Sequence, residues 1–465
     1  MNQRQRLPFR LLFSLMLVAA ICLTAATVSA ASPKITLTYS FERPEITTTT
    51  HGGQLYDRVV MKDAPNCGNV GQPALPATGA RVLIPYGHEV TSIEVTASDR
   101  VVLGAGYMIE PVEPQGKLGA KDQPILHAEP DPVIYLADRT FPEATYREVA
   151  TYGFRGYRIL IVRLQPVDFN PVTGEVAYYP ELTLNVTTTQ TGMSSDLYRG
   201  FNEDEMAVRE KIDNPGTLDS YQAAPKNGSR AFDMLIITTP ALVTQFEPLR
   251  DYHNANGLAT EIHTTTDVGS TDPDVVRGYI QSRYIFDGIS YVIIGADDDV
   301  IPAKDLYVTM QEDGGEAEYA MPGDLYFACL DGTWNYDGDS YWGENTDGPG
   351  GGDVDLIAEV YIGRASVNNS NEAYRFVNKT LQYIGSSGQY LQNVLMVGEY
   401  LGFGGPAEYG GGYLDEIPDG SDAHGYTTVG IPTTLFNVET LYERDENWVQ
   451  ADLTAYVNDG LHILN

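Results

Sequence analysis

The chain has 465 residues, a hydrophobic fraction of 43%, a formal net charge of −34 and an isoelectric point near 4.4. That length holds two or three domains, and the apolar content is that of a globular protein. The charge excludes nucleic acid as a partner, because the surface repels phosphates and no basic patch offsets it; it fits an exported protein or one with divalent-cation sites.

In chain order, Arg4, Arg6 and Arg10 precede an apolar run from Leu11 to Ala26, followed by the small-x-small sequence Val28-Ser29-Ala30. This is a signal-peptide pattern over residues 1–30, with processing after Ala30. The run is short for a membrane span, and no later stretch reaches about 18 apolar residues. A secreted or cell-surface protein without a membrane span is expected. Past the signal only Cys67 and Cys329 remain, which is no disulfide framework and reads as a pair of structural thiols.

Residues 31–190 carry short alternating runs, among them Lys34–Tyr39, Arg81–Ile84, Ser92–Val95, Tyr157–Val162 and Leu182–Val186, punctuated by turn sequences at 85–87 and 170–174. The expectation is an all-β sandwich. Residues 191–230 shift to Ser, Asp, Glu, Asn, Gly and Lys, with a short helical run near Phe201–Ile212. They read as a linker. Its end, Lys226-Asn227-Gly228-Ser229-Arg230, offers an exposed basic segment to a processing protease, with Arg230 as the processing residue.

From residue 231 the pattern becomes β-α-β-α-β. Met234–Ile237 and Tyr291–Gly295 read as strands buried on both faces. Phe246, Leu249, Tyr252 and His253 make one stripe of a helix ending at Gly257. Thr271-Asp272-Pro273 caps a second helix faced by Val275, Val276, Tyr279, Ile280 and Tyr284. This prescribes right-handed crossovers in a mostly parallel sheet. A long Asp/Gly-rich loop runs from Gly323 to Asp355 and must be functional or tied down. Further elements follow: a strand at 358–364, a helix from Asn371 to Ile384, a strand at 393–398, a Gly-rich loop at 402–412, a strand from Thr434 to Val438 and a helix from Glu443 to Val457. Leu461–Asn465 reads as an interior strand. A buried strand has no reason to end a protein at the tip where α/β enzymes place their chemistry, so the expectation is a fragment cut at the edge of an active site.

Within the acidic loop, Asn335, Asp337, Gly338 and Glu344 match positions 3, 5, 6 and 12 of a calcium loop, while Thr333 at position 1 departs from it. Hard cations take six to eight oxygens from alternate side chains of such a turn, so Asp331, Asn335, Asp337, Asp339 and Glu344 are the candidate ligands of a structural calcium. The alternative is a solvated acidic turn. Asp297-Asp298-Asp299 follows a strand and suits either a ligand pocket or a turn cap. The glycine runs lack the spacing, lysine and following helix of a phosphate loop. None of the seven histidines sits in a metal motif, and no nucleophile elbow is present.

Several stretches together resemble the gingipain-type cysteine peptidases, which have a caspase-like fold: Phe232–Pro240, the YVIIGADDDVIP segment, the LDGTWNYDGD loop and above all DVDLIAEVYIGRASVNNSNEA. The sequence GQPALP at 71–76 followed by ARVLIPYG resembles the β-rich propeptide of that family. The resemblance implies a multidomain precursor, with the sandwich as intramolecular inhibitor, cleavage near Arg230 and an α/β caspase-like peptidase domain over 231–465. It implies a Cys/His dyad acting on protein or peptide substrates: thiolate attack, histidine as base then acid, and backbone amides stabilising the oxyanion. Gly460–Asn465 matches the strand before the family's histidine motif, so the dyad is expected beyond residue 465 and this polypeptide alone is expected to be inactive. His462 and Cys329 do not occupy the dyad positions. The rival reading is a non-enzymatic, calcium-stabilised surface or adhesion protein that binds through its sandwich.

Overall fold

A computed structural model describes residues 34–465 apart from 52, 114–126, 223, 225–227, 313–314, 402–408 and 421–428. The signal-peptide segment with Ala30, Lys226 and Asn227 of the basic segment, and most of the Gly-rich loop therefore lie outside the described residues.

The N-terminal part is all-β, as expected. Strands β1 (Lys34–Ser40), β2 (Thr78–Leu83), β3 (His88–Ala97), β4 (Tyr146–Phe154), β5 (Tyr157–Leu164) and β6 (Glu181–Gln190) form two antiparallel sheets, ordered β1-β6-β3 and β2-β5-β4. Alternation along β6 turns Leu182, Leu184 and Val186 inward against Ala80, Val82, Leu160, Val162 and Leu164 of the facing sheet. Two sheets with apolar inner faces make the sandwich. A smaller three-stranded sheet, Val101–Gly104 with Glu175–Tyr178 and Val167–Asn170, packs Val176 and Phe169 into a second cluster. Strand β4 ends its sheet, which leaves one edge unpaired by other strands.

Residues 191–230 are not the exposed linker that their composition predicts. They contain helix α1 (Asn202–Arg209) and shorter turns. Tyr198, Val208, Ile212, Leu218 and Tyr221 pack on Leu83, Phe154, Tyr157 and Ile159 of the sandwich. Leu197 enters the core of the following domain. The polar composition misleads because two charged residues, Arg199 and Asp204, point inward as a pair, each 1% exposed.

The α/β part opens as predicted. Strands β7 (Met234–Thr238), β8 (Thr260–Thr264), β9 (Tyr291–Gly295) and β12 (Tyr361–Arg364) form a parallel sheet ordered β8-β7-β9-β12. Helix α3 (Pro273–Asp287) buries Val276, Ile280 and Tyr284 on one face of it. Asp272 caps that helix by accepting from Asp274 N, and Gly288 closes it at φ 82°. Helices α2 (Val243–Ala255) and α4 (Ser370–Ile384) cover the other face through Phe246, Leu249, Ala373 and Val377. Between β9 and β12 stands an unanticipated hairpin, β10 (Lys304–Glu312) with β11 (Gly315–Gly323).

The domain then departs from a single sheet. Strands β13 (Asn393–Gly398), β14 (Asn437–Tyr442) and β15 (Ile463–Leu464) form a second parallel sheet, ordered β14-β13-β15. The strand expected at 434–438 lies at 437–442, and the helix expected over 443–457 is α5 (Gln450–Asp459). Strand β15 is an edge of this sheet among the described residues, with both side chains exposed, and not the interior strand expected. Its pairing partner β13 carries the buried Val394 and Met396.

Candidate functional site

The acidic loop is anchored at its start by α3. Arg277 donates to the carbonyls of Cys329 (2.7 Å) and Asp331 (2.6 Å). Trp334, 1% exposed and at φ 64°, packs edge-on to Tyr326 at 5.7 Å. Farther along, Asp353 accepts from Thr333 N (2.9 Å) and Thr333 Oγ1 (2.6 Å). The long excursion is therefore tied down at several points, as its length demands.

Between these anchors, carboxylate oxygens of Asp337, Glu344 and Asp347 lie within 4.8 Å of one another. Asp347 is buried; one of its oxygens accepts from Tyr336 N at 3.1 Å and the other has no partner. Asn335 Oδ1, in the same loop, is likewise buried and unpartnered. Desolvation and then the neighbouring carboxylates raise the titration of Glu344; desolvation leads for Asp347 as well. Converging acidic oxygens and orphaned acceptors are the donor set of a hard cation, and these residues fit calcium.

The predicted ligands divide. Asp337 and Glu344 converge, and Asn335, in the same turn, donates through Nδ2 to Asp339 O at 3.0 Å. Asp339 does not join: its Oδ1 accepts from Tyr341 N at 2.7 Å and closes the turn locally. Asp331 does not join either, because its carboxyl turns inward beside Asp355 and Glu359. Asp347 takes their place. The signal for it was a carboxylate three residues past the last position of the calcium pattern.

No pair among the described residues resembles a catalytic dyad. Cys329 is fully buried, and burial, then Glu359, Asp355 and Asp331, pushes its thiol far up. A thiol so placed is held protonated and is a poor nucleophile. Cys67 is half-buried in the N-terminal domain. His462 is committed on both nitrogens, to Leu391 O (2.6 Å) and Tyr383 OH (2.7 Å). His263 meets Tyr279 OH (2.7 Å) and Glu261 (3.0 Å). The Asp297 triplet serves the turn after β9: Asp297 accepts from Asp298 N (2.9 Å), and Asp298 from Ala303 N (2.7 Å). Arg230 keeps 42% of its side chain exposed and lies 3.6 Å from Glu203 and 3.7 Å from Asp233.

No helix among the described residues is long and apolar enough to cross a membrane. Residues 24–198 match the family model of the C25 propeptide, and residues 227–465 that of peptidase family C25. Among curated proteins, Lys-gingipain W83 of Porphyromonas gingivalis is 20% identical over 460 residues, covering 92% of this chain and 23% of that protein. Gingipain R1 of the same organism is 22% identical over 253 residues, 51% of this chain and 24% of that protein. The chain thus spans about a quarter of the length of these relatives. A solved complex of P. gingivalis RgpB pro- and mature domains aligns at a TM-score of 0.33 and 18% identity, over 41% of this chain and 96% of that one. The matches favour the peptidase reading over the surface-protein rival. With the peptidase model covering just over half of its length and the propeptide model ahead of it, this chain belongs to peptidase family C25.

Proposed function

We propose that the parent of this chain is a secreted cysteine-type endopeptidase, made as a latent precursor whose sandwich domain is an intramolecular inhibitor. The observation that carries this is the order of the two matches, propeptide then peptidase, on a chain whose N-terminal domain packs against the α/β domain. The Cys/His dyad comes from residues outside 1–465. Supporting that, the thiol of Cys329 is buried among carboxylates, and His462 has no free nitrogen. This chain contributes the sheet platform and the cover over it. Processing occurs after Ala30 and at Arg230, whose exposed guanidinium on a short extended stretch suits a protease. The substrates are proteins or peptides.

Calcium would be held by Asp337, Glu344 and Asp347, with Asn335 Oδ1 in the same turn. A bound divalent cation neutralises these repelling carboxylates and stiffens the loop. The role is structural.

The 465-residue chain and its full-length parent, assayed on a panel of fluorogenic peptides, test the reading. Hydrolysis by the parent after removal of the N-terminal domain, and none by the 465-residue chain, is expected. Turnover by the shorter chain, blocked by a thiol reagent, would overturn the placement of the dyad.

A further inference from the structure

Strand β4 is the edge of its sheet, so N–H groups on its outer side have no neighbouring strand to receive them. Two are taken up across the domain boundary. Gly153 N donates to Asp355 Oδ2 at 2.9 Å, and Arg155 N, just past the strand, donates to Glu359 Oε1 at 3.2 Å. The second oxygen of each carboxyl serves its own domain, accepting from Ile357 N and Leu330 N, both at 2.7 Å. Asp355 is 2% exposed and Glu359 0%. Gly153 is required here by proximity: a Cβ on it would stand 1.8 Å from Asp331 Oδ2. The other oxygen, Asp331 Oδ1, is buried without a partner. Three carboxyls therefore meet under one edge strand.

Among the described groups around them Arg277 is the counter-charge felt by Asp331, and no cation pairs with Asp355 or Glu359. From α3 comes Arg277, spent on the carbonyls of Cys329 and Asp331. Tyr284 of the same helix is held neutral, chiefly by burial. From the sandwich come Tyr152 and Arg155, and the Arg155 guanidinium turns away to Asp204 of α1 at 3.1 Å. From the loop come Asp353, whose charge raises Asp331, and Cys329, a thiol that burial and the carboxyls hold neutral. Burial of carboxylates without cations favours their protonated form. Burial first, and Asp331 second, outweigh the N–H groups bonded to these carboxyls, which favour the charged form, and push Asp355 up to about 8 and Glu359 up to about 9; burial outweighs Arg277 and pushes Asp331 up to about 6.

We propose that Asp355 and Glu359 are a proton-dependent latch that holds the N-terminal domain on the α/β domain and loosens as pH rises. When the domains part, water reaches both carboxyls and they return toward the ordinary carboxylate range near 4. Their closed-state values are raised, so closure takes up protons. The hold is complete below about pH 4, weakens progressively as pH rises above it, and is lost by about 8 to 9, the closed-state values. Each linked proton shifts the balance between open and closed about tenfold per pH unit within that window. The latch deepens the reading of the sandwich as a removable inhibitor, but its test needs no enzymatic activity, so either can fail alone.

Hydrogen exchange at the Gly153 and Arg155 amides of the intact 465-residue chain reads the latch directly. These amides face the carboxyls and not β5, so their protection reports closure. Corrected for intrinsic base catalysis, protection should fall about tenfold per pH unit per linked proton from pH 6 to 8, levelling above about pH 9. In a chain carrying Asp355→Asn and Glu359→Gln, which stay neutral, the slope should vanish. Equal protection across the range in the wild type, or an unchanged slope in the double variant, would overturn the latch. Infrared spectroscopy of the wild type serves where the variant does not fold: a protonated-carboxyl band at pH 7 that titrates away by pH 10 is expected, and its absence would overturn the proposal.

Discussion

Asp347 is 3% exposed, yet one of its carboxylate oxygens lacks a hydrogen-bond partner. Leaving a buried charge half-satisfied is costly unless another ligand completes it. With Asp337 and Glu344 converging on it, the proposed calcium would be that ligand, and its binding would stabilise the fold by mass action, about 2.7 kcal/mol at a hundredfold excess over Kd. The melting midpoint of the wild type should rise with calcium and drop with chelator, while Asp347→Asn, close in shape but neutral, should lose most of that response. Identical wild-type midpoints in both conditions would contradict the site. Spacing alone singled out Asp337 and Glu344, whose carboxylates do converge, because positions in a turn follow the sequence. Asp331 and Asp339 stand outside that cluster for different reasons. Arg277 captures the backbone at Asp331 and its carboxyl turns inward, while Asp339 satisfies the N–H of Tyr341 two residues on. Asp355 and Glu359 were visible only as part of a family string. Their role needs a partner strand about 200 residues away, which no local pattern encodes.

Among the elements, the segment leading into and including α1 changes most between sequence and structure. Arg199 donates to Asp204 through Nε (3.0 Å) and Nη2 (2.7 Å) and to Ile289 O through Nη1 (2.7 Å), with its guanidinium 3.8 Å from the Tyr284 ring centroid. Asp204 also receives Arg155, so one carboxylate joins the sandwich, α1 and α3. Removing Arg199 strips Asp204 of its two-pronged partner and leaves Arg155 alone to offset a buried charge, so Arg199→Ala should cost toward the low end of about 3–5 kcal/mol in urea unfolding. Arg199→Lys should recover only part, since an ammonium cannot reproduce the planar fork. A loss below about 1 kcal/mol for the alanine variant would show the pair to be incidental. Elsewhere the elements were legible where one physical cause dominates. Continuous apolar runs marked β7 and β9, and the Asp272-Pro273 start with Gly288 fixed both ends of α3. The β10–β11 hairpin escaped although its strands alternate, Leu306, Val308 and Met310 in one and Ala317, Tyr319 and Met321 in the other, because acidic residues and glycine surround them. The second sheet escaped because nothing in the strand sequences says which sheet a parallel strand joins.

For the whole molecule, the division into an all-β part and an α/β part was readable from periodicity, which changes near residue 231. How the two halves meet was not, since the seam is made of contacts between residues far apart in sequence, among them Gly153 on Asp355, Arg155 on Glu359, Arg199 beneath Tyr284 and Leu197 in the α/β core. Those contacts make the N-terminal domain a fitted cover and not a tethered neighbour. They place its hold in the same chain segment that processing near Arg230 would free. Cys329 lies under that seam, fully buried, which is the position of a structural thiol.

The central claim, a latent cysteine peptidase whose nucleophile is outside this chain, is tested most directly by labelling. The processed parent enzyme is treated with a peptidyl chloromethyl ketone, and the alkylated residue is mapped by mass spectrometry. The account predicts inactivation with the label on a cysteine outside residues 1–465 and none on Cys329 or Cys67. Inactivating label on either of those two would contradict it.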